Sequence, residues 1–282
     1  MQLTDKIWLV GKTGRIGSAL DYAIRHSDKA ERLISTNRED IDTTDLKEVE
    51  RFIQTHRPAI IINCAAKRDK LWCEENSDEA FRINSLGARN LAIASLETGS
   101  HLIHISSDYV FDGMTRKSYK EYSATNPINT YGKSMRFAEE LINQTTARHT
   151  IIRASRLYGE RLIRDIIDEA TETGRVHFDE ELTTSPVSSI SLSELVLSLI
   201  DTSEYGIFHL GSTDIATARE FIEEILRIKR IQADLLVADD NWDIVQRPKQ
   251  LVFSRTMLKL TGYDIEIGWR EDLRRFIEAF EI

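Results

Sequence analysis

The chain has 282 residues, of which 41% are hydrophobic and 29% charged, so it can form one large α/β domain or a large domain with a smaller lobe. The formal net charge of −9 argues against nucleic acid and anionic membranes as partners, because phosphates are bound by clustered cations. Two cysteines are too few for a disulfide framework, and the apolar runs are too short for a signal peptide or a membrane span, so we expect a cytoplasmic protein.

Short apolar runs alternate with amphipathic segments through the first half of the sequence. The apolar runs predict buried strands at 6–10, 31–35, 59–63, 101–106 and 150–154. The amphipathic segments predict helices at 14–25, 45–56, 74–98 and 131–147, the second capped by Thr44 or Asp45. This alternation is typical of an α/β fold with a Rossmann-like, doubly wound parallel sheet.

The pattern is less regular after residue 155. Helices are predicted at 161–173, 191–202, 217–228 and 270–280, and a strand at Gly206–Leu210. We therefore expect residues 1–155 to form a dinucleotide-binding Rossmann domain, completed by a returning strand near 206–210. Residues 156–282 would form mainly a smaller C-terminal substrate-binding lobe.

A glycine loop joins the first predicted strand to the first helix. Gly11, Gly14 and Gly17 follow a Gly-x-x-Gly-x-x-Gly spacing. Glycines allow a tight turn and let a pyrophosphate approach backbone amides at the positive end of the helix. The loop, with the intervening Thr13, Arg15 and Ile16, is thus predicted to bind NADP or NAD.

The end of the second strand bears on the choice of cofactor. An NAD site needs a carboxylate there, whereas Arg38 would suit the 2′-phosphate of NADP and favours it slightly. Glu39 and Asp40 follow directly, so NAD stays open. Further residues are expected on the adenosine and ribose side of the cofactor: Asp42, Asn63, Cys64, Ala65 and Ala66.

Ser107 and Tyr131 are the predicted catalytic pair. Ser107 ends the fourth strand, at the edge where open α/β sheets bind ligands, and Tyr131 begins a helix. A tyrosine near such a serine can exchange a proton with a carbonyl or alcohol group while the cofactor transfers hydride.

The chain resembles the dTDP-4-dehydrorhamnose reductase family of extended short-chain dehydrogenases/reductases. The resemblance is carried by the glycine loop and by the segments 106–113, 131–132, 184–186 and 247–248. The resemblance covers nearly the whole chain. It implies reduction of the 4-keto group of a nucleotide-activated deoxysugar, with Ser107 polarising the carbonyl and Tyr131 donating the proton. The family often forms dimers, so a homodimer is possible.

The lysine of the family's Tyr-x-x-x-Lys pattern is replaced by Met135. In the family this lysine supports the tyrosine and holds the nicotinamide ribose, so its loss is expected to weaken the acid–base step. Lys133 points to a different helix face; it or Lys67 would have to reach in through an altered backbone.

Two further departures from the family pattern concern the substrate. Arg156 stands where the family has a tryptophan, and Lys67, Arg68 and Lys70 replace neutral residues. These cations, with Asp108, are candidate substrate-binding residues for an anionic group, although a solvated loop would explain the lysines equally well.

Three other functions remain open. A cofactor-binding regulatory subunit resembling the methionine adenosyltransferase β subunit would explain Met135, and a related epimerase or dehydratase is a further alternative.

His101 and His104 share one face of a strand, but no third ligand is placed near them, so no metal site is predicted.

Overall fold

The computed structural model describes residues 4–239 and 244–282. Its strands, in chain order, are β1 (Ile7–Val10), β2 (Leu33–Thr36), β3 (Ile60–Asn63), β4 (His101–Ser107), β5 (His149–Ala154), β6 (Leu157–Tyr158), β7 (Arg175–Phe178), β8 (Thr183–Thr184), β9 (Val187–Ser188), β10 (Gly206–Leu210), β11 (Ala216–Thr217), β12 (Asp234–Val237) and β13 (Gln250–Leu251). Its helices are α1 (Arg15–Arg25), α2 (Leu46–His56), α3 (Lys70–Glu75), α4 (Ser77–Phe81), α5 (Gly87–Thr98), α6 (Thr130–Thr145), α7 (Glu160–Thr173), α8 (Ser189–Leu199), α9 (Ala218–Lys229), α10 (Thr256–Thr261) and α11 (Trp269–Ala279). In this part of the chain, no helix has the length and apolar character needed to cross a membrane.

Six parallel strands form the central sheet, in the order β2-β1-β3-β4-β5-β10. The strands are rich in isoleucine and leucine because both faces of the sheet are covered. One face packs against α1 and α8, and the other against α2, α5 and α6. The predicted Rossmann-like, doubly wound fold is therefore confirmed.

The strand order reverses direction between β1 and β3, which leaves a crevice at their carboxyl ends. The register pairs Val10 with Thr36 on one side and with Asn63 on the other, so β1, β2 and β3 end at the same level. The glycine loop and the segment that follows β3 consequently lie side by side.

The helix predicted over 74–98 is confirmed from Ser77 onward and differs only at its start. From Ser77 to Thr98 the chain is helical without a break, as α4, a π-helical turn at Arg82–Leu86 and α5, whereas residues 74–75 end α3 and Asn76 separates α3 from α4. The turn directs Asn84 and Ser85 toward α6, where Asn84 Nδ2 donates to Ser134 Oγ and Ser85 Oγ donates to the Ser134 carbonyl. These tertiary contacts accompany the π-helical turn, through which the helix continues.

Other boundaries agree more closely with the predictions. Asp45 caps α2, accepting hydrogen bonds from the amides of Lys47 and Glu48. The predicted strand 31–35 begins only at Leu33, because Ala30–Arg32 forms a 3₁₀ turn.

The part after residue 155 contains a second apolar core and several short strands. Its aromatic centre comprises Tyr158, Phe221, Trp269 and Phe276, all buried. Strand β10 leaves this region to pair with β5 at the edge of the central sheet, as predicted. The division near residue 155 stays a prediction.

Candidate active site

The glycine loop packs tightly against the end of β3. Gly11 has a φ of +88°, and a Cβ on it would lie 2.9 Å from the Ala65 nitrogen. A Cβ on Gly17 would lie 2.0 Å from the Gly11 carbonyl oxygen. Thr13 and Arg15 are exposed at this loop, whereas Ile16 is buried beneath it. The first turn of α1 presents amides without intrahelical acceptors, so the loop fits a pyrophosphate.

Two cations lie at the end of β2. Arg38 Nη2 lies 3.7 Å from Asp42 Oδ2 and 3.7 Å from Glu79 Oε1, and most of its side chain is exposed. Lys12 Nζ lies 2.9 Å from Asp40 Oδ2. Sequence reasoning missed Lys12, although a loop that follows β1 necessarily runs beside the end of the adjacent parallel strand.

The predicted residues around the ribose lie beside the glycine loop. Asn63 Oδ1 accepts from the Ala65 amide at 3.0 Å, which shapes the turn after β3. Burial raises the pKa of the Cys64 thiol to about 12, so the thiol stays protonated. At Asp42, partial burial is outweighed by hydrogen bonds from Thr44, and the carboxyl pKa lies below its ordinary value. Ala66 completes the segment and is half-buried.

Ser107 and Tyr131 face one cavity. Ser107 is the last residue of β4, and its Oγ donates to Asp108 Oδ1 at 3.0 Å. Tyr131 is the second residue of α6. A Cβ on Gly132 would lie 2.1 Å from the Tyr109 carbonyl oxygen, so this glycine allows α6 to approach the turn after β4. The structure thus brings the two predicted catalytic residues together.

The cavity that contains this pair has a volume of about 360 Å³ and several cationic side chains in its wall. The cations are Arg15, Arg68, Lys70, Arg156 and Arg247. The Arg68 Nε is buried without a hydrogen-bond partner among the described residues. Since buried polar groups are normally satisfied, this orphaned donor points to a ligand.

The carboxylates in the cavity wall are engaged by other groups. Asp165, Glu169 and Asp179 lie near Arg161, His177 and Lys249, respectively. Asp108 is buried and accepts from the Ser107 hydroxyl and from the Arg156 amide. Burial raises the pKa of Asp108 above its ordinary value. Its carboxylate therefore holds Ser107 and the backbone of Arg156 in place in the cavity wall.

The lysines near the pair have different surroundings. Lys67 Nζ lies over the Trp72 ring, 4.5 Å from its centroid, and Lys67 is absent from the described residues that line the cavity. Lys133 is exposed on α6, and Met135 is buried one turn after Tyr131. Lys70 Nζ lies 5.3 Å from the Tyr131 ring centroid, a proximity that sequence reasoning missed.

A larger groove of about 1530 Å³ adjoins the cavity. Its wall shares Arg15, Arg68, Lys70 and Arg247 with the cavity, and the groove continues along α1 and α8. Ser107 and Tyr131, the predicted catalytic pair, line the smaller cavity and not the groove.

Comparisons with known proteins agree with this geometry. The sequence profile of the RmlD substrate binding domain matches residues 5–282. A dTDP-4-keto-6-deoxy-D-glucose reductase from Streptomyces niveus is 32% identical over 76% of this chain and 75% of that protein. The rat methionine adenosyltransferase 2 subunit beta is 26% identical over 96% of this chain and 88% of its own length.

A solved structure extends the agreement to three dimensions. The dTDP-4-dehydrorhamnose reductase of Bacillus anthracis, in complex with NADP, superimposes with a TM-score of 0.93 at 29% identity, covering 98% of this chain and 100% of that one. The reductases among these relatives confirm the prediction that the chain is an NAD(P)-dependent oxidoreductase. Since the family profile spans almost the whole sequence, the chain belongs to the RmlD substrate binding domain family.

Proposed function

We propose that the protein is an NADP(H)-dependent reductase of a keto group on a nucleotide-activated deoxysugar. The observation that carries the proposal is the meeting of Ser107 and Tyr131 in one cavity, at the sheet edge that also holds the glycine loop. The Streptomyces and Bacillus relatives support the same reaction class.

The two side chains have separate tasks in this reaction. NADPH, when bound, would supply the hydride that reduces the carbonyl carbon. The Ser107 hydroxyl would rotate from Asp108 and donate a hydrogen bond to the carbonyl oxygen. Tyr131 would transfer its phenolic proton to that oxygen, which becomes the product hydroxyl, and would be left as a phenolate.

NADP is the better match for the end of β2. Lys12 and Arg38 put two positive charges where an NAD-binding protein has a carboxylate for the ribose hydroxyls. The carboxylates now beside them would give way to a 2′-phosphate, to which both side chains can bind.

We further propose that the acceptor sugar carries an anionic group. Arg156 lines the cavity with the catalytic pair, and the buried Arg68 Nε lacks a partner among the described residues. A carboxylate, phosphate or sulfonate would satisfy both guanidinium groups.

To test the proposal, the protein is incubated with NADPH or NADH and each of a panel of dTDP-linked 4-ketosugars, and oxidation of the cofactor is followed as loss of absorbance. The sugar in each acceptor is either neutral or carries a carboxylate. Tyr131→Phe and Ser107→Ala should each lower kcat by about 10²-fold or more while NADPH binding persists. Arg156→Ala should reduce turnover of the carboxylated acceptor and spare the neutral one. Arg164→Ala, on the exposed part of α7, is the matched control. Equal effects of Arg156→Ala on both acceptors would reject the anionic substrate.

The regulatory-subunit alternative is favoured by one observation, the buried Met135 in place of the family lysine. Cofactor binding without turnover on any ketosugar, unchanged by Met135→Lys, would support that role. Turnover by the unmodified protein would contradict the regulatory-subunit alternative, because that alternative assumes that catalysis has been lost.

A further inference from the structure

Lys70 comes from a part of the chain distant in sequence from Tyr131 yet lies against its ring. Asp69 caps α3 by accepting from the Trp72 amide at 3.0 Å, which fixes Lys70 as the first helical residue. The Lys70 ammonium then lies 4.8 Å from the Tyr109 ring centroid and 5.3 Å from that of Tyr131. Both distances lie within the range of an attractive cation–π interaction.

The charges around Lys70 come from several elements. Arg68 precedes it in the same loop, Arg15 belongs to the glycine loop, and Arg247 lies across the cavity; Asp108 contributes the opposing negative charge. Burial, with the neighbouring arginines, lowers the pKa of Lys70 to about 8. The ammonium is therefore still mainly protonated at pH 7.

Position 135 cannot supply such a charge. The Met135 side chain is buried with Phe111, Tyr119 and the Tyr131 ring in one apolar cluster. Lys133 is exposed, and Lys67 lies over the Trp72 ring. Of these three lysines, Lys70 is the one that lies next to Tyr131.

We propose that Lys70 is a positioning residue that provides, from α3, the positive charge next to Tyr131 that the family's lysine provides from position 135. The inference rests on the proposed reductase function only for its consequence in turnover. When Tyr131 gives its proton to the carbonyl oxygen, negative charge develops on the phenolic oxygen. The Lys70 ammonium stabilises this charge electrostatically and holds the ring in place.

Direct titration of Tyr131 tests the electrostatic part without substrate or cofactor. The ultraviolet absorbance of the phenolate is followed against pH, and the signal of Tyr131→Phe is subtracted to isolate this tyrosine. Removing a cation disfavours the phenolate, so Lys70→Met should raise the ionisation midpoint by about one pH unit or more. Lys70→Arg should keep the midpoint near that of the unmodified protein, and Lys259→Met, which removes an exposed lysine on α10, is the matched control.

Turnover gives the second measurement. Lys70→Met should lower kcat about ten-fold or more and shift the limb of the pH–rate profile that reports Tyr131 to higher pH. Adding Met135→Lys to Lys70→Met should recover part of the loss, and NADPH-induced thermal stabilisation checks that each variant is folded.

Two outcomes separate the inference from the proposed function. Identical ionisation behaviour of Tyr131 with and without the Lys70 charge, including no ionisation in either protein, would overturn the role of Lys70. A shifted midpoint in a protein that reduces none of the ketosugars would leave that role standing and count against the reductase.

Discussion

The backbone N–H of Arg156 donates to Asp108 Oδ2 at 2.7 Å and ties the end of β5 to the turn after β4. Arg156 has a φ of +40°, in the left-handed region that non-glycine residues seldom adopt. The other carboxylate oxygen accepts from Ser107. One buried carboxylate therefore accepts hydrogen bonds from the predicted catalytic Ser107 and from the backbone of a candidate substrate-binding arginine.

Asp108→Ala should lower the free energy of unfolding by about 1–3 kcal/mol, because the Arg156 amide loses its acceptor inside the protein. kcat/KM should fall as well, since Ser107 and Arg156 lose their common partner. Asp108→Asn can still accept from the amide and should be milder in both respects. Urea denaturation and steady-state kinetics on the three proteins provide the measurement, and equal stability of all three would contradict the prediction.

Arg38→Ala should raise the KM for NADPH by about ten-fold and leave the KM for NADH nearly unchanged, because only NADPH has the phosphate that this guanidinium would bind. Lys12→Ala should act in the same direction. Arg136→Ala, which removes an exposed cation on α6, should change neither KM. A parallel increase for both cofactors would instead indicate general damage to the loop.

The buried ion pair between α6 and β5 should be the larger of two salt-bridge contributions on that helix. Arg153 Nη2 lies 2.6 Å from Glu139 Oε2, and both side chains are 4% exposed. Glu139→Ala leaves the arginine charge uncompensated and should cost about 3–5 kcal/mol in unfolding free energy. Glu140→Ala, which breaks the exposed pair with Arg136, should cost less than about 1 kcal/mol. Similar losses in the two variants would refute this expectation.

Acid should destabilise the protein through its buried histidines. Burial lowers the pKa of His104 from 6.5 to about 4. Below pH 6.5 His104 becomes protonated in the unfolded chain but stays neutral in the folded protein. The free energy of unfolding therefore falls as the pH decreases to about 4, by on the order of 3 kcal/mol for this residue.

Urea unfolding between pH 7 and 4 checks the histidine prediction. Replacing His104 by Gln, which keeps an acceptor for Asn63, should flatten the dependence on pH. His101 remains in that variant and should preserve part of the slope, because burial lowers its pKa to about 4 as well. An unchanged slope would rule out His104 as a source.

Local signals in the sequence predicted the central sheet and the glycine loop. Apolar runs such as Ile7–Val10 and Ile60–Asn63 are buried strands because a doubly wound sheet covers both faces. Ser107 is predicted at the ligand-binding edge because it ends a parallel strand, whereas its pairing with Tyr131 rests on the resemblance to the reductase family. The two-residue strands β6, β8, β9, β11 and β13 carry too little periodicity to be recognised.

The position of Lys70 could not be predicted from its own segment. Its approach to Tyr131 depends on where α3 begins, and the sequence pattern had merged the later part of α3 into a continuous helix over 74–98. The break between α3 and α4 lies at Asn76, where the backbone leaves the helical conformation with φ −128° and ψ 54°. Lys12 was missed for a related reason, because its partner Asp40 lies in another loop.

The late return of β10 constrains how the chain can reach its native state. Strand β5 is complete at Ala154, but β10, its neighbour on the side away from β4, is made some fifty residues later and then contacts α10. A ribosome-bound fragment ending near 155 would thus expose an unpaired apolar edge, a surface prone to non-native association. The six-stranded sheet can therefore be completed only after Leu210 has been synthesised.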